Sequence, residues 1–245
     1  MKHNSYTLLL LLVVIGCADQ PNANKIIDNA IDTSGGQLYQ NTIIDFDFRD
    51  KHYKSIRDGG SFQYERIYLD SIEAIRDVLN NQEFKRYING ELTDVADTMA
   101  VKYTASVNSV LYFALLPYGL NDAAVNKTYL GESTIKGNSY HKIKVTFEQE
   151  GGGEDYQDVF IYWVNQKSFA IDYLAYSYEE DDGVGARFRE AYNARNVNGI
   201  RFVDYVNYKY EGDQYSLSDY DKAFEANEMN KLSVIEIENV AVSIQ

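Results

Sequence analysis

The chain has 245 residues, 45% hydrophobic and 14% aromatic, which suits one β-rich domain with a substantial core. Only 2 prolines and 16 glycines exclude a collagen-like or disordered composition. A net charge of −14 with no stripe of lysines or arginines excludes nucleic acid as an expected partner, and likewise a bilayer contact through basic patches.

The first element is a targeting segment. Lys2 and His3 precede an unbroken apolar run, Leu8–Ile15. A run this short cannot cross a bilayer core of about 30 Å. It reads as the core of a signal peptide. The only cysteine, Cys17, follows Gly16 directly. Val14-Ile15-Gly16-Cys17 resembles the bacterial lipobox. That resemblance implies cleavage between Gly16 and Cys17 and a lipid on the Cys17 thiol. Acyl chains, palmitate among them, would then anchor an exported protein without a membrane-spanning helix. The expected organisation is a signal peptide at 1–16, a tether at 17–24 and a single β-rich domain at 25–245. The expected location is the outer membrane of a Gram-negative cell, on the periplasmic side.

Lys25–Ser34 places Ile26, Ile27, Ala30 and Ile31 on one helical face, and Gly35-Gly36 stops it. Thr42–Arg49 alternates as a half-exposed strand, with Ile44, Phe46 and Phe48 opposite Asp45, Asp47 and Arg49. Strands are expected at Tyr53–Arg57, Ser61–Leu69, Ala74–Leu79 and Phe84–Ile88. Asp97 is placed to cap a helix running to about Phe113, with Met99, Tyr103, Val107, Val110, Leu111 and Ala114 on one stripe. Asn121–Asn126 suggests a further helical turn or two. Strand pattern resumes at Glu132–Lys136 and Tyr140–Phe147.

The run Asp158–Tyr178 carries two apolar stretches around the polar break Asn165–Ser168. It reads as an antiparallel hairpin in the middle of a sheet covered on both faces. Phe169, Ile171, Tyr173 and Ala175 are expected to share one face. Strands follow at Ala186–Tyr192 and Ile200–Tyr210, a short helix at Asp219–Asn227, and a last strand at Leu232–Val242. The whole is mainly β, with roughly a dozen strands in a curved antiparallel sheet or incomplete barrel.

The order of lipobox, Ile-rich helix, meander, inserted helix and second meander resembles lipoprotein-carrier proteins of the LolA/LolB type. The strand-turn-strand IYWVNQKSFAIDYLAYSY carries much of that likeness. The segments FDFRDKHY, QYERIY, YFALLPYGLND, QEGGGEDYQDVF and RFREAYN also resemble an uncharacterised family of bacterial lipoproteins. The carrier resemblance implies an incomplete barrel, helices lying in its concave face, and an apolar cavity between. The carriers' Arg-Pro segment is absent, and the nearest stretch is Phe62-Gln63-Tyr64-Glu65-Arg66, so no carrier arginine is transferred.

Catalytic signatures are missing from the residues themselves. His52 and His141 are the only histidines after the signal segment, which excludes a three-histidine zinc site. No nucleophile elbow and no phosphate-binding loop occurs, so neither catalytic residues nor a cofactor are expected. Gly151–Gly153 reads as turn chemistry. The acidic loops Glu148–Asp158 and Glu179–Asp182 lack the spacing of a calcium loop, and no metal is expected. Asp45, Asp47, Glu65, Asp158 and Glu190 supply carboxylates for a glycan hydrolase. The favoured reading instead joins Asp47, Arg49, Glu65, Arg66, Arg187, Arg189 and Glu190 as an ion-pair network across the sheet. The 22 tyrosines suit a groove for an apolar ligand. Tyr103, Val107, Val110 and Leu111 on the inserted helix, facing Trp163 and Tyr173, are its expected wall. The expected function is non-catalytic binding of a hydrophobic ligand, lipid or lipoprotein acyl chains. A glycan hydrolase and a tyrosine-faced scaffold are the alternatives.

Overall fold

The computed structural model describes residues 21–180 and 183–245. The expected signal segment, Gly16, Cys17, and Asp181 and Asp182 of the second acidic loop lie outside the described residues. The chain opens on helix α1 (Ala23–Ser34). Asn22 caps it, its side-chain oxygen accepting from the backbone N–H of Asn24 at 2.9 Å and of Lys25 at 3.3 Å. Gly35 ends it at φ 146°, and a Cβ there would lie 2.9 Å from the Tyr39 ring.

A meander follows: β1 (Asn41–Phe48), β2 (Lys51–Asp58), β3 (Ser61–Asp70), β4 (Glu73–Asn80), β5 (Phe84–Ile88) and the short β6 (Glu91–Thr93). Helix α2 (Asp97–Ala114) is inserted next. The second meander runs β7 (Val125–Ile135), β8 (Asn138–Phe147), β9 (Val159–Asn165), β10 (Ile171–Glu180), β11 (Gly183–Val197) and β12 (Ile200–Tyr210). Helix α3 (Tyr220–Glu225) leads to β13 (Met229–Ile235) and β14 (Glu238–Ile244). Two seven-stranded antiparallel sheets result, in the orders β14-β1-β2-β3-β4-β5-β6 and β13-β12-β11-β10-β9-β8-β7. Together they make an unclosed barrel with α1 and α2 in its concavity.

Alternation decides which side chains enter that concavity. Val107 and Leu111 of α2 pack on Ile44, Phe46, Tyr53 and Tyr64 of the first sheet. Ile26, Ile27 and Ala30 of α1 pack on Ile143, Phe160, Tyr162 and Leu174 of the second. A third core lies on the opposite face of the second sheet, where Ile161, Trp163, Tyr173, Ala175 and Phe188 meet Tyr220 and Phe224 of α3. Each fully buried large apolar side chain contributes about 1.5–3 kcal/mol, so all three layers matter to stability.

Several expectations are corrected. Leu232–Val242 is not one strand. It divides into β13 and β14, which belong to different sheets. The corner is held by Asp204, which is 3% exposed. Its Oδ1 accepts from the Ile237 backbone N–H at 3.1 Å, while Arg195 lies 3.1 Å from the same carboxylate and donates to the Ile237 carbonyl. Phe169 and Ile171 do not share a face with Tyr173 and Ala175. The β9–β10 register shifts between Ile171 and Tyr173, and an extra residue reverses the alternation. Phe169 and Ile171 therefore join the concave core, and Tyr173 and Ala175 the outer one. Asp97 does not cap α2. Ala96 holds that position, and Asp97 lies in the first turn, where its charge favours the helix dipole. The helical turn falls at Tyr118–Asn121, and β7 already begins at Val125 because its alternate residues are exposed.

Candidate ligand-binding cavity

A cavity of about 550 Å³ opens between the two sheets. The C-terminal half of α2 supplies one wall through Val110, Tyr112, Phe113 and Ala114. Strands β9 to β12 supply the facing wall through Phe160, Tyr176, Arg189, Val203 and Tyr205. Phe48 at the end of β1 and Ile235 and Ile237 at the sheet corner close it on one side. The rings interlock: Phe113 lies 5.3 Å from Tyr176 and 6.0 Å from Phe160, and Phe160 stacks on Tyr176 at 5.4 Å. Tyr112 and Tyr162 share a hydroxyl hydrogen bond of 2.7 Å, which ties α2 to β9, and burial raises both phenol pKa values.

The mouth is acidic. Glu154, Asp155, Asp158 and Glu179 line it. Burial pushes the Asp158 carboxyl up to about 6, and the negative charges of Asp155 and Glu179 add to that. The loop between β8 and β9 shapes the rim at Gly152, where a Cβ would fall 2.1 Å from the Glu148 carbonyl oxygen. No larger residue fits that approach without moving the loop.

Of the six residues expected to wall the cavity, Val110 lines it. Val107 and Leu111 face the first sheet as core. Tyr103 sits further along α2, its ring 3.5 Å from the Arg86 guanidinium carbon. Trp163 and Tyr173 lie in the outer core beneath α3. The odd positions of β9 point outward, and Phe160 and Tyr162 point inward. The missed wall residues, Tyr112, Phe113, Phe160 and Tyr176, were readable as aromatics in the same segments. For Phe160 and Tyr176 only the sign of the alternation was missing, and for Tyr112 and Phe113 it was which face of α2 turns to the cavity.

The charged residues expected to form one network are dispersed. Asp47 accepts from His52 at 2.7 Å and from Asn239 at 2.7 Å. Both hydrogen bonds lower its pKa, that of Asn239 the more. Arg49 lies over the Phe48 ring and lines the cavity edge. Glu65 binds Arg76, which holds its carboxyl below the usual range. Arg66 binds Asp77 at 2.6 Å and donates to Ser106 of α2. Arg187 lies 5.4 Å from the Tyr178 ring, and Glu190 pairs with Lys136 on the outer face. Arg189 alone of these seven both lines the cavity and lies buried, at 8% exposure. Of the five carboxylates weighed for hydrolysis, Asp158 is the one at the cavity. Among the described residues no group of three or more His, Cys, Asp or Glu side chains is placed to hold a metal ion, and no helix is long and apolar enough to cross a membrane.

The profile of the family of unknown function DUF6503 matches residues 2–239, and the chain belongs to that family. No curated protein matches. Among solved structures, the chain is similar to a LolA superfamily protein from Nitrosomonas europaea at 11% identity and a TM-score of 0.49, covering 91% of this chain and 93% of that one. It is similar to a domain from Vibrio parahaemolyticus described as an outer membrane lipoprotein-sorting protein, at 7% identity and a TM-score of 0.44, with 91% and 94% covered. A DUF1329 family protein from Desulfovibrio piger is similar at 8% identity and a TM-score of 0.39, with 89% and 92% covered.

Proposed function

We propose that this protein binds a hydrophobic ligand, without catalysis, in the cavity between its sheets. The observation that carries the reading is a space of about 550 Å³ walled by Tyr112, Phe113, Phe160, Tyr176 and Tyr205, inside the usual range of about 300–1,000 Å³ for small-molecule sites. Acyl chains suit such a wall, since each buried methylene contributes about 0.8 kcal/mol. The lipobox at Val14–Cys17 supports an exported protein anchored through a lipid on Cys17 at the periplasmic side of an outer membrane. Labelling cells with a palmitate analogue tests the anchor: the intact chain incorporates label and Cys17→Ala does not.

The ligand is tested by native mass spectrometry with solvent extraction of the gently purified chain. A stoichiometric adduct that partitions into organic solvent supports the reading. A clean unliganded mass, with no uptake of fatty acid at micromolar concentration, overturns it. A second reading is carried by Asp158, whose carboxyl is pushed up to about 6 beside Asp155 at the mouth, as a general acid in glycan hydrolysis would require. Release of reducing ends from a glycan by the chain, lost in Asp158→Asn, would establish it.

A further inference from the structure

The cavity holds a buried cation that has no anion beside it among the described residues. Arg189 follows from the pairing of β11 with β10, which sets it opposite Leu174 and therefore on the concave face. Its guanidinium carbon lies 3.8 Å from the Phe113 ring centroid, 4.9 Å from that of Tyr176 and 5.9 Å from that of Tyr205. Its Nη2 donates to the Tyr176 hydroxyl at 2.7 Å. Its Nε–H is buried and has no acceptor. Arg189 forms no ion pair among the described residues. The other arginines that are as buried, Arg66 and Arg86, both pair with Asp77.

A guanidinium removed from water is costly unless paired and hydrogen-bonded. Aromatic faces offset part of that cost, and one neutral hydroxyl adds little. The Tyr176 oxygen accepts from Arg189, so its own O–H remains free to donate. A guanidinium fork and a phenol O–H thus converge on one side of an aromatic cavity. That set of donors matches an anionic oxygen group, which a guanidinium holds through parallel N–H···O bonds.

We infer that Arg189, with Tyr176, is the recognition site for the anionic head of an amphiphilic ligand, a carboxylate whose apolar chain lies against Phe113 and Phe160. The inference rests on the cavity being a ligand site and adds the class of ligand. It also assigns Arg189 to binding and not to an ion pair with Glu190, which lies on the other face of the same strand, paired with Lys136.

The test compares heads on one chain length. Dodecanoate, dodecanol and dodecyltrimethylammonium are titrated separately into the purified full chain, exchanged out of detergent, by calorimetry and native mass spectrometry. Dodecanoate is expected to bind at least about tenfold more tightly than dodecanol, and the ammonium compound more weakly than either. Arg189→Met should bring dodecanoate down to the level of dodecanol and leave dodecanol unchanged. Arg189→Lys should keep part of the preference. Equal binding of dodecanoate and dodecanol by the unmodified chain overturns the anionic-head inference while leaving a hydrophobic ligand in place. No binding of any of the three overturns both. The head comparison on the unmodified chain decides the matter even where Arg189→Met fails to fold.

Discussion

Helix α2 lays an aromatic ring against a buried guanidinium near each end, and the two guanidinia differ in what completes them. Near its start, the Tyr103 ring lies 3.5 Å from Arg86. There Asp77, with no exposed surface, accepts from Arg86 at 2.7 Å and from Arg66 at 2.6 Å, and Arg66 reaches Ser106. Near its end, the Phe113 ring lies 3.8 Å from Arg189, and no carboxylate among the described residues answers. The same stacking is therefore used once to fasten the helix to the first sheet and once to hold a cation facing an aromatic cavity. A buried charge that folding alone required would carry its counter-ion with it, as Arg86 does. Arg189 has no such counter-ion among the described residues, which is the contrast the proposed ligand head would resolve.

Substitutions can break that contrast. Asp77→Ala leaves two buried guanidinia unpaired and should cost about 3–5 kcal/mol in chemical denaturation, releasing α2 from the first sheet. A loss under 1 kcal/mol would mean the cluster is wetter than its geometry implies. Tyr112→Phe strands the buried Tyr162 hydroxyl and should cost about 1–3 kcal/mol, with faster hydrogen exchange in the last turns of α2. Arg189→Met removes an unpaired cation and should change stability by no more than about 1 kcal/mol, or raise it. A loss as large as that of Asp77→Ala would make Arg189 structural and erase the difference between the two ends.

The smallest effect is a pH dependence at the cavity mouth. Asp158 ionises at about 6 in the folded chain and near its ordinary value of 3.8 when unfolded. Between those values the folded chain keeps a proton that the unfolded chain has lost. Its contribution therefore favours folding below 3.8, declines as pH rises through the window, and is fully lost above about 6. Asp158→Asn should flatten that slope in denaturation midpoints measured from pH 4 to 7. An unchanged slope would show the mouth to be better solvated than its geometry implies.

The cores were readable where alternation was unbroken. Ile44 and Phe46 against Asp45 and Asp47 foretold the inner and outer faces of β1, and Ile26, Ile27 and Ala30 foretold the buried side of α1. Alternation defines two faces and does not say which is concave, so Trp163 and Tyr173 were placed in the cavity when the register sends them outward beneath α3. The register shift at Ile171–Tyr173 is hard to read from residue types, because apolar and aromatic side chains flank Asp172 on both faces of the strand. The division of the last strand was equally hidden, since its corner depends on Asp204 and Arg195, distant in sequence from Ile237.

From composition and periodicity alone followed a mainly β chain with an N-terminal helix, an inserted helix, and no histidine, cysteine or glycine pattern for the common catalytic sites. These properties are local: they depend on propensity and on the spacing of apolar residues along one segment. The tertiary structure decided which aromatics line the cavity, that Arg66 and Arg86 share Asp77, and that Arg189 is buried without an anion among the described residues. Those properties depend on strand register and on which side of a sheet a helix covers, so they arise only when residues far apart in sequence meet.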